Sequence, residues 1–167
     1  MIYDSREDTL EHKDKVRKYT KLCAKNLIYR GIVHDDSKLS PPEKEIFDEY
    51  TPKLKNCTYG SLSYHTFLNE MKVALDHHYK VNDHHPEYFK SFKLRDKKGT
   101  PMYKGLEGMN LIQLTEMLCD WYASTLRNNG NILDSIDINQ ERFGYSDELK
   151  IILKNTALWL MEKDGVI

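Results

Sequence analysis

Apolar residues recur at steps of three and four along most of this chain, and that period constrains its fold more than any other feature. Val16, Tyr19, Cys23 and Leu27 form one stripe and predict a long helix from Asp8 to about Ile28, which His12 extends backward by four. Ser40-Pro41-Pro42-Glu43 is a start signal, in which serine caps, proline suits the first helical position and glutamate reaches back as the capping-box partner. A short helix to about Tyr50 follows. From Ser61 to Tyr79, Phe67, Leu68, Met71, Ala74, Leu75 and His78 share one side of a third helix, so His78 occupies a core position. PEYFKSF forms a turn or two of helix, and LRDKKGTPMYKGLEG is an exposed loop. A helix returns from Met109 to about Asn128, with Leu111, Leu114, Leu118 and Trp121 inward and NNG as its stop. Ser146 caps a last helix from Glu148 to about Glu162, which carries Ile151, Leu153, Leu158 and Leu160. Alternating strand patterns are scarce and no repeat is evident. The fold class expected is all-α, a compact helical bundle of about five to seven helices.

The 167 residues suit one domain, residues 1–167, with a core large enough to need no cross-links. Lys plus Arg (25) nearly balance Asp plus Glu (26), which argues against a duplex nucleic-acid binder and against an acidic disordered tail. Cys23, Cys57 and Cys119 are widely spaced and show no CxxC pattern, which speaks against a zinc ribbon and a disulfide framework. The charged N-terminal stretch and the lack of any long apolar run predict neither a signal peptide nor a membrane span. A cytoplasmic protein is expected.

Chemistry concentrates in two strings. GIVHDDSK, Gly31 to Lys38, sets His34 beside Asp35. Together with His12 upstream and Asp120 in TEMLCDWYAS, it supplies two imidazoles and two carboxylates, a first shell for a divalent ion such as Mn, Fe, Mg or Zn. One straight helix from 12 to 34 would hold the two histidines about 33 Å apart, whereas ligands lie about 2.0 to 2.2 Å from their ion. The chain is therefore expected to turn back over Tyr29 to Val33, with Gly31 taking the left-handed conformation that closes a helix.

The order His12, His34-Asp35, Asp120 resembles the H…HD…D pattern of the HD-domain superfamily of metal-dependent phosphohydrolases, and Lys38 matches the HDxxK form. HDDSK, HHYKVNDHHPEY and EMLCDW together resemble a group of small bacterial and phage proteins of unknown function, over most of the chain. The superfamily resemblance implies that His12, His34, Asp35 and Asp120 hold a primary metal. It also implies that a water activated by that metal attacks phosphorus, with Asp35 orienting or deprotonating the water. Branches with two metals add histidines between the HD pair and the last aspartate. HHYKVNDHHPE loosely resembles the HHExxDGxGYP string of cyclic-dinucleotide phosphodiesterases, one residue out of register and without the Gly-Tyr-Pro.

That second string holds four of the seven histidines, and it either completes a second metal site or donates to a substrate phosphate. Adjacent residues on a helix point about 100° apart, so one member of each pair is expected to ligate. His78 is preferred over His77 because it lies on the apolar stripe; His84 is taken over His85, with loop conformation deciding. Asn82, Glu87 and Lys38 are candidates to back a ligand or touch phosphate. Glu116 stands evenly between an acid that backs a ligand and a solvated residue. A bland alternative for the cluster is a surface patch that binds adventitious nickel or zinc. His65 and the cysteines read as structural, and Trp121 and Trp159 as core and rim.

The cofactor expected is one or two divalent ions per chain, Mn, Fe, Mg, Ni or Zn. The partner expected is a small phosphorylated substrate, most simply a nucleotide, with Asp35 and Lys38 in catalytic roles. Lys90, Lys93, Arg95, Lys97 and Lys98 lie in a lid expected over Lys90 to Gly108. A di-iron oxygenase and a non-catalytic metal- or nucleotide-binding protein are the alternative classes. Oligomeric state is not readable from these patterns.

Overall fold

A computed structural model of the chain describes residues 3–57, 61–91, 105–127 and 130–166. Among them are seven α-helices, three short 3-10 helices and no strand, so the fold is all-α as expected. The chain falls into two compact units, Met1–His34 and Asp35–Ile167. Among the described residues no helix is long and apolar enough to cross a membrane.

The first unit is one helix, α1 (Arg6–Val33), and none of its residues is buried. It differs from the expected helix at its C-terminal end, because it runs through Tyr29 to Val33 without turning back. Gly31 inside a helix costs only about 1 kcal/mol relative to alanine, and Ile32 and Val33 continue the pattern beyond it. His12 and His34 therefore mark two places on one rod, about 33 Å apart at 1.5 Å per residue. This corrects the expected four-residue convergence: one ion cannot be shared by two imidazoles at that separation.

The second unit begins with a 3-10 turn, Asp36–Leu39, followed by α2 (Lys44–Lys55), α3 (Leu62–Glu70) and α4 (Lys72–Val81). Ser40 does not cap α2 with its side chain; its carbonyl accepts from the amides of Glu43 and Lys44, and Glu43 itself occupies the N-cap position. The single helix expected over Ser61–Tyr79 is broken at Met71, where ψ opens to 3°. Met71 is almost wholly buried, and its N–H and C=O still bond to Phe67 and Leu75, so the break bends the path without losing hydrogen bonds. Ser61 does cap α3, accepting from the amide of Tyr64.

Pro86–Ser91 forms a 3-10 helix packed on α4 and on the 3-10 turn Gly105–Gly108. A side chain at Gly108 would meet the Phe89 ring at 2.6 Å, so this close approach requires glycine. Within the expected lid, residues 92–104, including Lys93, Arg95, Lys97 and Lys98, lie outside the described residues, as does the Lys90 side chain.

The main core belongs to α5 (Leu111–Arg127), α6 (Ile132–Phe143) and α7 (Asp147–Lys163). Met117, Leu118, Ile132, Ile136, Leu153 and Ala157 form its centre. α5 opens with a reciprocal cap: Asn110 Oδ1 accepts from the amides of Ile112 and Gln113, and Gln113 Oε1 accepts from the amide of Asn110. α6 fills a stretch for which no element is expected, starting at an Asn131 cap and ending at Gly144, where φ is +68°. α7 carries the expected Ser146 cap. One expected face shifts, however: Leu111 is 77% exposed. On α7, Leu153 and Ala157 are buried while Ile151 and Leu158 face out. We expect Ile136→Ala to cost about 2–5 kcal/mol and Leu111→Ala to stay within about 0.5 kcal/mol, read from urea unfolding followed by circular dichroism.

Candidate metal centre

The site is built where the segment after α1, the end of α4 and the loop after it meet. Asp35 has φ +60°, the one left-handed non-glycine among the described residues. Aspartate tolerates this conformation better than most residues, and its C=O accepts from the amide of Lys38 to open the 3-10 turn. The left-handed residue expected at Gly31 is thus found four residues later, at Asp35. α4 delivers His78 on its buried face, 2% exposed, as the apolar stripe predicts. After Val81 the chain leaves the helix, and the stretch from Asn82 to His85 is not helical. The Asn82 side chain donates to the His78 carbonyl and ends α4.

Asp35 Oδ1 lies 3.4 Å from His78 Nε2 and 3.4 Å from His84 Nε2. His85 Nε2 lies 2.8 Å from His78 Nε2. The four residues each offer a ligand atom, and these atoms all lie within 4.8 Å of one another. A tetrahedron of ligands about 2.1 Å from a central ion has edges of about 3.4 Å, which the two Asp35 separations match, whereas the His78–His85 pair, at hydrogen-bond distance, would have to open slightly around an ion. The cluster can hold a metal ion.

Acids behind the imidazoles fix which nitrogen faces inward. Glu43, 0% exposed, accepts from His78 Nδ1 at 2.9 Å, from His77 Nδ1 at 2.7 Å and from Ser37 Oγ at 3.0 Å. Glu116, 8% exposed, places Oε1 3.3 Å from His84 Nδ1. A carboxylate on Nδ1 selects the tautomer whose Nε2 lone pair is available to a metal. Asn82 donates to Ser37 Oγ at 2.8 Å and so braces the serine that donates to Glu43. Asp35 Oδ2 is held by Lys38 Nζ at 2.6 Å, with that ammonium 4.9 Å from the centre of the Phe47 ring. Oδ1 is the oxygen left facing the histidines.

The charge states suit coordination. Burial, then the neighbouring His84 and His78, push His85 down to about 3. Burial, then the Lys38 charge, lowers His78, against the opposing pull of Asp35 and Glu43. Neutral imidazoles are the ligating form.

The expected residues divide plainly. His78, His84 and Asp35 are brought together, and Lys38 sits against Asp35. Asp120 offers an oxygen within 4.8 Å of a His84 ring nitrogen. His12, exposed, and His34, half-buried, belong to the N-terminal unit. Glu87 pairs with Arg142 at 2.7 Å, tying the 86–91 turn to α6, and so does not back a ligand. The expectation of one ligand per histidine pair fails for His84 and His85, because that pair lies off the helix and both rings turn inward. Glu43, read as a capping residue, is the acid that sequence reasoning missed. Glu116 takes the supporting position that was one of its two expected readings.

Two outcomes follow from this geometry. Glu43→Gln should weaken binding of added Zn or Mn by about 10- to 100-fold in calorimetric titration, with helicity retained. For the metal-free protein the sign is set by His85: an unfolded imidazole takes its proton near 6.5, the folded one only near 3. Between those values the unfolded chain binds more protons, so stability falls as pH falls. The urea midpoint should drop between about pH 7 and pH 4.5, and less steeply in His85→Asn.

No curated protein and no solved structure matches the chain. One family model does match, over residues 1–163, which is nearly the whole length and includes every residue of the centre. The chain belongs to the family of unknown function DUF5662.

Proposed function

We propose that this protein is a metal-dependent phosphohydrolase acting on a small phosphate ester of the nucleotide class. The observation that carries the reading is the convergence of Asp35 Oδ1 and three imidazoles, backed by buried acids, beside a lysine ammonium. Three imidazoles to one carboxylate favour Mn, Fe, Ni or Zn over Mg, which prefers oxygen ligands. Such an ion would polarise a phosphoryl oxygen and lower the pKa of water.

The chain's own residues do the rest. Asp35 divides its two oxygens between the histidines and Lys38, so it serves as a ligand and as the anchor of that cation. An ammonium has three donors and Asp35 takes one, which leaves Lys38 donors for an anionic phosphoryl oxygen. Lys38 is 32% exposed at the side chain, whereas His78 and His84 are nearly enclosed, so the open edge of the centre lies on the lysine side. Glu43 and Glu116 keep the imidazoles oriented.

The test is phosphate release from a panel of nucleoside mono-, di- and triphosphates with Mn, Fe, Ni or Zn added to stripped protein. We expect turnover with at least one ion, loss of at least about 100-fold in Asp35→Ala, and a raised KM in Lys38→Ala. Stoichiometric metal binding with no phosphate released from any member of the panel would overturn the reading.

A further inference from the structure

α1 leaves a requirement that its own unit does not meet. The unit is a single helix, so nothing within it covers Val16 and Tyr19, 50% and 60% exposed, or the remainder of the stripe through His12, Cys23 and Leu27. At 28 residues the helix is about 42 Å long, enough for four heptads of pairing.

Two observations identify the partner. The first is the placing of the stripe's outer members about the point midway between Tyr19 and Thr20, where those two residues face each other across the axis. Val16 and Cys23 are equally far from that point, and so are His12 and Leu27. An antiparallel helix of the same sequence therefore sets Val16 against Cys23 and His12 against Leu27, and repeats both contacts on the other side of the axis. Self-complementary contact of this kind is what a two-fold dimer requires. The second observation is charge. Asp4, Glu7, Asp8, Glu11 and Asp14 make the first half acidic, and no acid occurs from Lys15 to His34, where six lysines and arginines lie. Antiparallel pairing sets the acidic half of one copy on the basic half of the other and opposes their helix dipoles; parallel pairing sets like charge on like.

We infer that α1 pairs antiparallel with α1 of a second copy of this chain, across a two-fold axis between Tyr19 and Thr20. The interface is independent of the metal centre and of the reaction proposed for it.

Sedimentation equilibrium of the full chain should show a dimer that weakens with added salt, and Val16→Glu/Tyr19→Glu should be monomeric. Metal binding by the second unit should be unchanged in that variant, which separates loss of pairing from misfolding. Orientation is read with a cysteine. In a Cys57→Ser/Cys119→Ser background, Val16→Cys should oxidise to a linked dimer through Cys23 of the second copy. The same background without Val16→Cys should not. Within one helix, residues 16 and 23 are about 10 Å apart, too far for a disulfide. A monomeric native chain, a dimer that survives the double glutamate variant, a Cys23 cross-link without Val16→Cys, or no cross-link with it would each overturn the inference.

Discussion

A carboxylate with no exposure to water organises the second unit. Glu43 lies at the start of α2, and burying its charge is costly unless donors surround it. Three do: Ser37 from the 3-10 turn, and His77 and His78 from α4. Those bonds join the 3-10 turn and the start of α2, neighbours in the chain, to α4, which lies 34 and 35 residues beyond Glu43 at His77 and His78. They also determine which edge of His78 is turned toward Asp35. The acid is thus both a structural tie and the reason that the ligand nitrogen points where it does.

The arrangement has a consistent electrostatic logic. The inner layer sets His78, His84 and His85 around one aspartate oxygen, with burial holding His78 and His85 toward the neutral form. The outer layer holds Glu43, bonded to the far ring nitrogen of His78, and Glu116, 3.3 Å from that of His84, and both would compensate for the positive charge that a divalent ion would introduce. Lys38 closes the aspartate from the open side. Adjacent histidines at 84 and 85 take part together because the chain there is irregular and the 100° rule for helices does not apply. The loop is held by its own ties, Gln113 to Asp83 at 2.6 Å and Arg142 to Glu87 at 2.7 Å, which fasten it to α5 and α6. The three-helix core therefore supports the centre, and its α5 brings an Asp120 oxygen within 4.8 Å of a His84 ring nitrogen.

The N-terminal unit follows different physics. α1 gains its regularity from local hydrogen bonds and side-chain pairs such as Glu11–Lys15, but exposed pairs of that kind contribute little, and isolated helices are marginal in water. Its stability has to come from a surface that covers the stripe. Its polarity of charge, acidic then basic, gives such an encounter a preferred direction.

Helix content was legible in the period of the apolar residues, and so was the cap at Ser146, because both depend on neighbours within a turn. The burial of His78 was legible for the same reason, since a stripe position implies an inward face. Asp35, Lys38 and His84 were recognisable as chemistry from their residue types and strings. Local pattern misplaced what depends on distant neighbours. Whether Gly31 ends a helix, whether Met71 interrupts one, and whether Leu111 faces inward are decided by packing and are not readable from propensity. Glu43 is the clearest case: as part of SPPE it is a capping residue, and only the approach of α4, a distant segment of the chain, makes it the acid behind two histidines. Composition and period determined that the chain is helical and where its imidazoles are concentrated. The tertiary structure alone decided which nitrogens meet, because hydrogen bonds and ligand distances are set by the path of the backbone through space.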